Sequence, residues 1–141
     1  MIIISVDLGL ARTGLAYCDK SELLASPLCV IEERELKVLA QKIAQKAQEV
    51  RAELIVVGLP KNMDGSEGES AIRARDFADT LHSLTGLECI MQDERGTTLT
   101  ATGYLNTTNT RGKKRKKVID SVAATIILED YLNHRRNQRR N

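Results

Sequence analysis

The chain has 141 residues, 42% of them hydrophobic and 28% charged, which fits one soluble globular domain with a single core. Aromatic residues make up only 3%, which disfavours a base-stacking platform, and no apolar run reaches the ~20 residues of a membrane span. The net charge of +2 conceals a split: residues 1–110 carry 11 Lys+Arg against 16 Asp+Glu, whereas residues 111–141 carry 10 against 3, so a basic end on an acidic body suggests a polyanion partner.

Ile2 to Asp7 reads as a buried strand. Gly14 to Cys18 and Leu23 to Val30 read as two more, joined by the polar turn Asp19-Lys-Ser-Glu22, so an antiparallel meander opens the chain. A helix follows, with Leu36, Leu39, Ala40, Ile43, Ala44, Ala47 and Val50 at spacings of three and four. Leu54 to Val57 is continuously apolar, as in a sheet interior. A Gly/Pro/Asn-rich loop over 58–68 leads to a second amphipathic helix carrying Ala71, Ala74, Phe77, Ala78, Leu81 and Leu84. Glu88 to Gln92 is the fifth strand, and a third helix is expected near Thr97 to Asn106. Thr107 to Lys117 reads as a polar, basic loop, and the last helix runs from Val118 to His134. This order predicts an α/β fold: a five-stranded mixed sheet, antiparallel meander first and parallel strands after, flanked by helices. One domain is expected over 1–134, with a flexible basic tail over 135–141.

Cys18, Cys29 and Cys89 form no CxxC and lie in apolar runs, so buried free thiols are expected rather than a disulfide or zinc site. The N-terminus lacks the basic and long apolar regions of a secretory signal, so a cytoplasmic location is expected. His82 and His134 are isolated on helices and no Ser/His/Asp or Cys/His arrangement is evident, which disfavours acyl transfer.

Three carboxylates stand out. Asp7 closes the first strand and opens Asp7-Leu-Gly9-Leu-Ala-Arg12-Thr-Gly14, where glycines permit close approach and an arginine follows the acid. Glu94 lies just past the fifth strand in Asp93-Glu94-Arg95-Gly96-Thr97-Thr98. Asp120 shares the apolar stripe of Ala123, Ala124 and Ile127, which turns it toward the protein body. Plainer roles exist for each: a turn-capping Asp, a charge or N-cap at a helix start, an acid favoured by the helix dipole. The dipole accounts for an acid near residue 120 but not for its inward face. Unpaired, such acids would cost on the order of several kcal/mol, so a cation is expected to meet them. With carboxylates as the only plausible ligands, Mg²⁺ or Mn²⁺ fits better than zinc. Two such ions about 3.5–4 Å apart are a standard device for phosphodiester hydrolysis.

These pieces resemble the YqgF/RuvX family, bacterial nucleases of ribonuclease H-like fold also called Holliday junction resolvases. The likeness runs from Ile3 to Leu132. It rests on Asp7-x-Gly9-x-x-Arg12-x-Gly14-x-Ala16, Val57-Gly58-Leu59-Pro60, Asn62 to Gly68, Phe77-Ala78, Asp93-Glu94-Arg95-x-Thr97-Thr98, and Arg115-Lys-Lys-Val-Ile-Asp120-x-x-Ala123-Ala124. The resemblance implies a ribonuclease H-like fold and a role in maturing the 5′ end of pre-16S ribosomal RNA. It implies an acidic metal-binding triad of Asp7, Glu94 and Asp120. Arg12 and Arg95 would contact phosphate, with Thr97 and Thr98 beside them, and Pro60, Asn62, Met63, Asp64 and Gly65 would rim the substrate. Gly96 departs from the larger apolar residue usual in that motif, which loosens the segment carrying Glu94. Lys113, Lys114, Arg115, Lys116 and Lys117 would hold a nucleic-acid backbone.

The leading expectation is therefore a metal-dependent endonuclease acting on structured precursor rRNA, as a monomer or weak dimer, with a ribosomal partner in prospect. A resolvase of branched DNA would need a stable two-fold dimer. An actin-like ATP-binding protein would need two such domains. A non-catalytic RNA-binding module would use the basic segment and keep the acids only for the fold.

Overall fold

The computed structural model describes the backbone of residues 1–93 and 112–140, and the side chains of residues 1–93 and 122–138. The elements are β1 (Ile3–Asp7), β2 (Arg12–Cys18), β3 (Ser26–Glu32), α1 (Leu36–Val50), β4 (Leu54–Leu59), α2 (Glu69–Thr85), β5 (Glu88–Asp93) and α3 (Gly112–Arg140). The strands form one five-stranded sheet in the order β3-β2-β1-β4-β5. The β1–β2 and β2–β3 pairs are antiparallel, and β1–β4 and β4–β5 are parallel. The expected meander followed by parallel strands is the architecture observed.

Strand alternation divides the core into two layers. Ile4, Val6, Leu15, Ile55, Val57 and Leu59 point to the face covered by α1 and α2, where they meet Leu39, Ile43, Phe77 and Leu81. Ile3, Ala16, Cys18, Leu54 and Val56 point to the other face, where Ala124, Ile127, Leu128, Tyr131 and Leu132 of α3 close over them. β1 and β4 are flanked on both sides, which is why their sequences are almost continuously apolar. Pro27 sits on β3, an edge strand, where its missing N–H interrupts no outer ladder. α1 ends with Arg51 in the left-handed region (φ 61°) and α2 with Gly86 (φ 72°).

β2 begins two residues before the expected Gly14, β3 and β4 end two residues after the expected Val30 and Val57, and three boundaries differ by more. β3 begins at Ser26, so Leu23 and Leu24 lie outside the sheet; an apolar pair reads as strand, but a turn holds it. The last helix begins at Gly112, so Lys113 to Lys117 are helical rather than loop, in keeping with the high helix propensity of lysine and arginine. The same helix runs on to Arg140 through the stretch expected as a flexible tail. The helix expected near Thr97–Asn106 lies outside the described residues. Among the described residues no helix is long and apolar enough to cross a membrane. Cys18 is buried, whereas Cys29 and Cys89 are half-buried; all three are free thiols.

Candidate active site at the carboxyl edge of the parallel strands

β1, β4 and β5 run parallel, so their carboxyl ends share one edge of the sheet. Asp7 ends β1 there, half-buried. Ser5, two residues earlier and on the same face, is fully buried and donates its hydroxyl to the carbonyl of Ala124 at 2.7 Å. The face of Ser5 is the α3 face, and alternation puts Asp7 there too. Asp7 pairs with Gly14 on β2. On β4, Val57 pairs with Val6, so Gly58 comes next beside Asp7. Both flanking positions are glycines, and neither puts a side chain beside the carboxylate.

The turn after Asp7 is tight. A Cβ on Gly9 would stand 2.0 Å from the carbonyl oxygen of Arg12, a distance no side chain tolerates. Gly9 also donates its backbone N–H to the hydroxyl of Thr13 at 3.3 Å. The turn brings Arg12 onto the α3 face, two residues along β2 from Gly14, so Asp7 and Arg12 share a face and an edge. A cavity of about 340 Å³ adjoins this corner, lined by Ala11, Arg12, Glu32, Glu33 and Arg34. Lys42 holds the Glu33 carboxyl below its usual range through a 2.9 Å ion pair. A larger cavity of about 680 Å³ lies at the opposite edge, between the carboxyl ends of α1 and α2, far from Asp7.

The loop after β4 rises from the same edge. Lys61 and Glu67 bridge its two arms, and the Asn62 N–H donates to the Ser66 carbonyl at 2.8 Å. Asp64 accepts from both the N–H and the hydroxyl of Ser66, and Gly65 takes φ 90° at the tip. Arg75 of α2 clamps Glu67 with two bonds at 2.7 and 2.8 Å, which holds the Glu67 carboxyl below its ordinary value. Met63 stands on this braced loop with 75% of its surface exposed.

The direction of α3 follows from two contacts. Ala124 meets Ser5, and Arg135 meets Glu22 and Met1 at the start of β1. The helix therefore runs antiparallel to β1. Position 120 lies one turn, ~6 Å, before Ala124, while Asp7 lies two residues, ~7 Å, beyond Ser5. The two advances match, so the helical backbone carries position 120 to the level of Asp7. Positions 113–117 continue the helix past that edge.

On β5, Ile90 faces α3 while Cys89 and Met91 face α1 and α2, so Asp93 at the strand end lies on the face away from Asp7. Glu94, Arg95, Thr97 and Thr98 lie outside the described residues, as do the side chains of Lys113 to Lys117 and Asp120. Among the described residues no cluster of three His, Cys, Asp or Glu is assembled. Burial, with Asp79 and Glu88 adding to it, pushes the Cys89 thiol up to about 11, so it is no nucleophile at neutral pH. His82 and His134 are exposed. Two contributors escape a reading of the sequence: Ser5, whose signal is a lone hydroxyl within an apolar strand, and Gly58, which reads only as part of a motif.

The family profile described as RuvX, Holliday junction resolvase, matches residues 1–134. The chain belongs to the RuvX family. Its relatives include a protein of Nitrosospira multiformis, 34% identical over 94% of this chain and 87% of the relative, and one of Rhodopirellula baltica, 40% identical over 91% and 74%. Both are provisionally named pre-16S rRNA nuclease. Among solved structures, RuvC of T. thermophilus in complex with a Holliday junction substrate aligns with a TM-score of 0.60, covering 95% of this chain and 96% of that one at 12% identity. That likeness is one of fold, and it gives this RuvX chain a ribonuclease H-like sheet.

Proposed function

We propose that this RuvX chain is a phosphodiester hydrolase that trims the 5′ end of pre-16S ribosomal RNA, with Asp7, Glu94 and Asp120 as its catalytic carboxylates. The observation that carries the reading is the matched advance of strand and helix from the Ser5–Ala124 bond, which brings Asp7 and position 120 to one level on one face. Glu94 is taken as the third acid because it follows directly on β5, whose carboxyl end lies at the same sheet edge as Asp7. The relatives' names supply the rRNA substrate.

The residues fit hard divalent cations. Every donor is a carboxylate oxygen, and the strand neighbours of Asp7 are Gly14 and Gly58. Asp7, Glu94 and Asp120 would hold Mg²⁺ or Mn²⁺, as a pair of ions. When bound, such ions make water a nucleophile at neutral pH and stabilise the departing oxygen. The chain's own contribution is position and charge. The Ser5 clamp ties α3 to β1, the two elements on which Asp7 and Asp120 lie. Arg12 stands on the face and edge of Asp7, placed to orient a phosphate, with Arg95, Thr97 and Thr98 assigned to the same task. The 60–65 loop is braced to form a rim. Lys113 to Lys117, helical and beyond the edge, would grip the backbone of a structured RNA.

The family description favours a second substrate, the four-way DNA junction. The test is cleavage of a precursor 5′-leader RNA beside a four-way junction, with Mn²⁺ or Mg²⁺, by wild type and Asp7→Asn. Metal-dependent RNA cutting that vanishes in the variant is expected. Symmetric junction cutting by a stable dimer would transfer the assignment to resolution. Undiminished cutting by Asp7→Asn would remove the triad.

A further inference from the structure

α1 and α2 lie side by side on one sheet face. β3 is antiparallel to β2 and β2 to β1, so β3 and β4 both end at the edge of Asp7, and the helix that follows each starts there. The groove between the two helices is defined at its far end by the cavity of about 680 Å³, where Gln41, Ala44 and Gln48 of α1 meet Leu84 of α2. A helix returns to nearly the same bearing after eleven residues, about three turns. Eleven residues before Leu84 stands Arg73, and eleven before Gln48 stands Lys37. Each stripe climbs the groove by ~16 Å toward the Asp7 edge, so the two cations stand on opposite walls of its mouth.

Neither cation has a partner among the described residues. Arg73 is half-buried, and its Nε is sealed from solvent with no hydrogen-bond acceptor. A buried N–H left in that state is destabilising and calls for an explanation. The acids at this end of the helices do not supply one. Glu33 is paired with Lys42, Glu67 with Arg75, and Asp64 accepts from Ser66. Glu32, Glu35, Glu69 and Asp76 are exposed, and among the described residues none forms an ion pair with Lys37 or Arg73. Glu69 is the one acid in the first turns of α1 and α2. Helical side chains lean toward the N-terminus, so Arg73 leans toward the Asp7 edge. A lone exposed lysine would be solvated surface; the sealed Nε of Arg73 across from it sets this pair apart.

We propose that Lys37 and Arg73 hold one backbone phosphate of the substrate strand, on the sheet face opposite Asp7. Leu8, the residue after Asp7, packs into the α1/α2 layer, so the two faces adjoin at this edge. A strand crossing the edge presents its scissile phosphate to Asp7 and a neighbouring phosphate to Arg73. The planar guanidinium fork suits that duty. The assignment rests on the nuclease reading above, but its test does not depend on cleavage. Binding of the precursor 5′-leader RNA, and of a four-way DNA junction, is measured against KCl concentration in the Asp7→Asn background. The proteins compared carry Arg73→Gln with Lys37→Gln, or Arg73→Lys, or Lys46→Gln, a charge change in the carboxyl half of α1. The double variant should bind RNA about tenfold more weakly, its log–log salt slope lower by at least about 0.7. Arg73→Lys keeps the charge and should keep the slope, and Lys46→Gln should keep both slope and affinity. Arg73→Met should leave the thermal midpoint unchanged or raise it, because the unsatisfied N–H is gone. A fall of several degrees would assign Arg73 to the fold and overturn the proposal. So would an unchanged slope in the double variant, or an equal loss in Lys46→Gln. A slope lowered on the junction alone would move the phosphate to DNA and leave the grip standing. A lowered RNA slope without RNA cleavage by the wild type would sink the nuclease reading alone, and RNA cleavage with unchanged slopes would sink the grip alone.

Discussion

Glu22→Gln isolates the ion-pair cluster that joins the two ends of the fold. The Glu22 side chain is 8% exposed. Burial alone would raise its carboxyl, but hydrogen bonds from the Met1 ammonium and Arg135 outweigh it and hold the group at about 2 against 4.5. At about 1.4 kcal/mol per pH unit, that difference is worth on the order of 3 kcal/mol. The folded carboxyl is the stronger acid, so the stabilisation is complete above the unfolded value of 4.5 and drains away as pH falls toward 2. Glutamine cannot ionise and forfeits it at every pH. Urea unfolding at pH 7 should place Glu22→Gln about 3 kcal/mol below wild type, with the gap shrinking to about 1.5 kcal/mol at pH 3. The denaturant slope should be unchanged, because the same surface is exposed on unfolding. A gap of equal size at pH 3 and pH 7, or none at either, would refute the assignment of this carboxylate as a paired buried charge.

Gly9→Ala forces a Cβ against the Arg12 carbonyl at 2.0 Å, so the turn must move. A loss of about 1–3 kcal/mol in thermal unfolding is expected, with cleavage falling further than stability because Asp7 moves with the turn. Ser5→Ala removes the 2.7 Å bond to Ala124 and should cost about 1 kcal/mol, since that bond is buried. Its kinetic signature is a lowered kcat with KM nearly unchanged, and an unaltered kcat would show that α3 keeps its register without the clamp. Replacing Lys113, Lys114, Arg115, Lys116 and Lys117 with Gln should flatten the salt dependence of RNA binding, the log–log slope falling by about 0.7–0.9 for every phosphate that is no longer neutralised. An unchanged slope would place the grip elsewhere.

The elements legible in the sequence are those whose pattern is local. β1 and β4 announce themselves as apolar runs because both of their faces are covered, and α1 and α2 by their three- and four-residue spacing. Asp7 is legible because a charge closing such a run is conspicuous. What escapes are features made by partners remote in the chain. Glu22 reads as part of a polar turn, and its burial is explained by Met1 and Arg135, 21 and 113 residues away. Leu23-Leu24 reads as the start of a strand because apolar pairs usually are. The start of α3 is hidden because a run of five basic residues looks like a solvated loop, although each favours helix and the amphipathic stretch behind it continues the ladder.

The closure of one sheet face by α3 has a consequence for timing. Ile3, Ala16, Cys18, Leu54 and Val56 are in place early in synthesis, but the residues that cover them, Ala124 to Leu132, are made at least 68 residues later. At about 5–20 residues per second, several seconds separate the first strand from its lid. Half of the core, and the helix that carries Asp120, can assemble only once that stretch has cleared the ribosome. A nascent chain therefore exposes an apolar sheet face while it lacks its last proposed carboxylate.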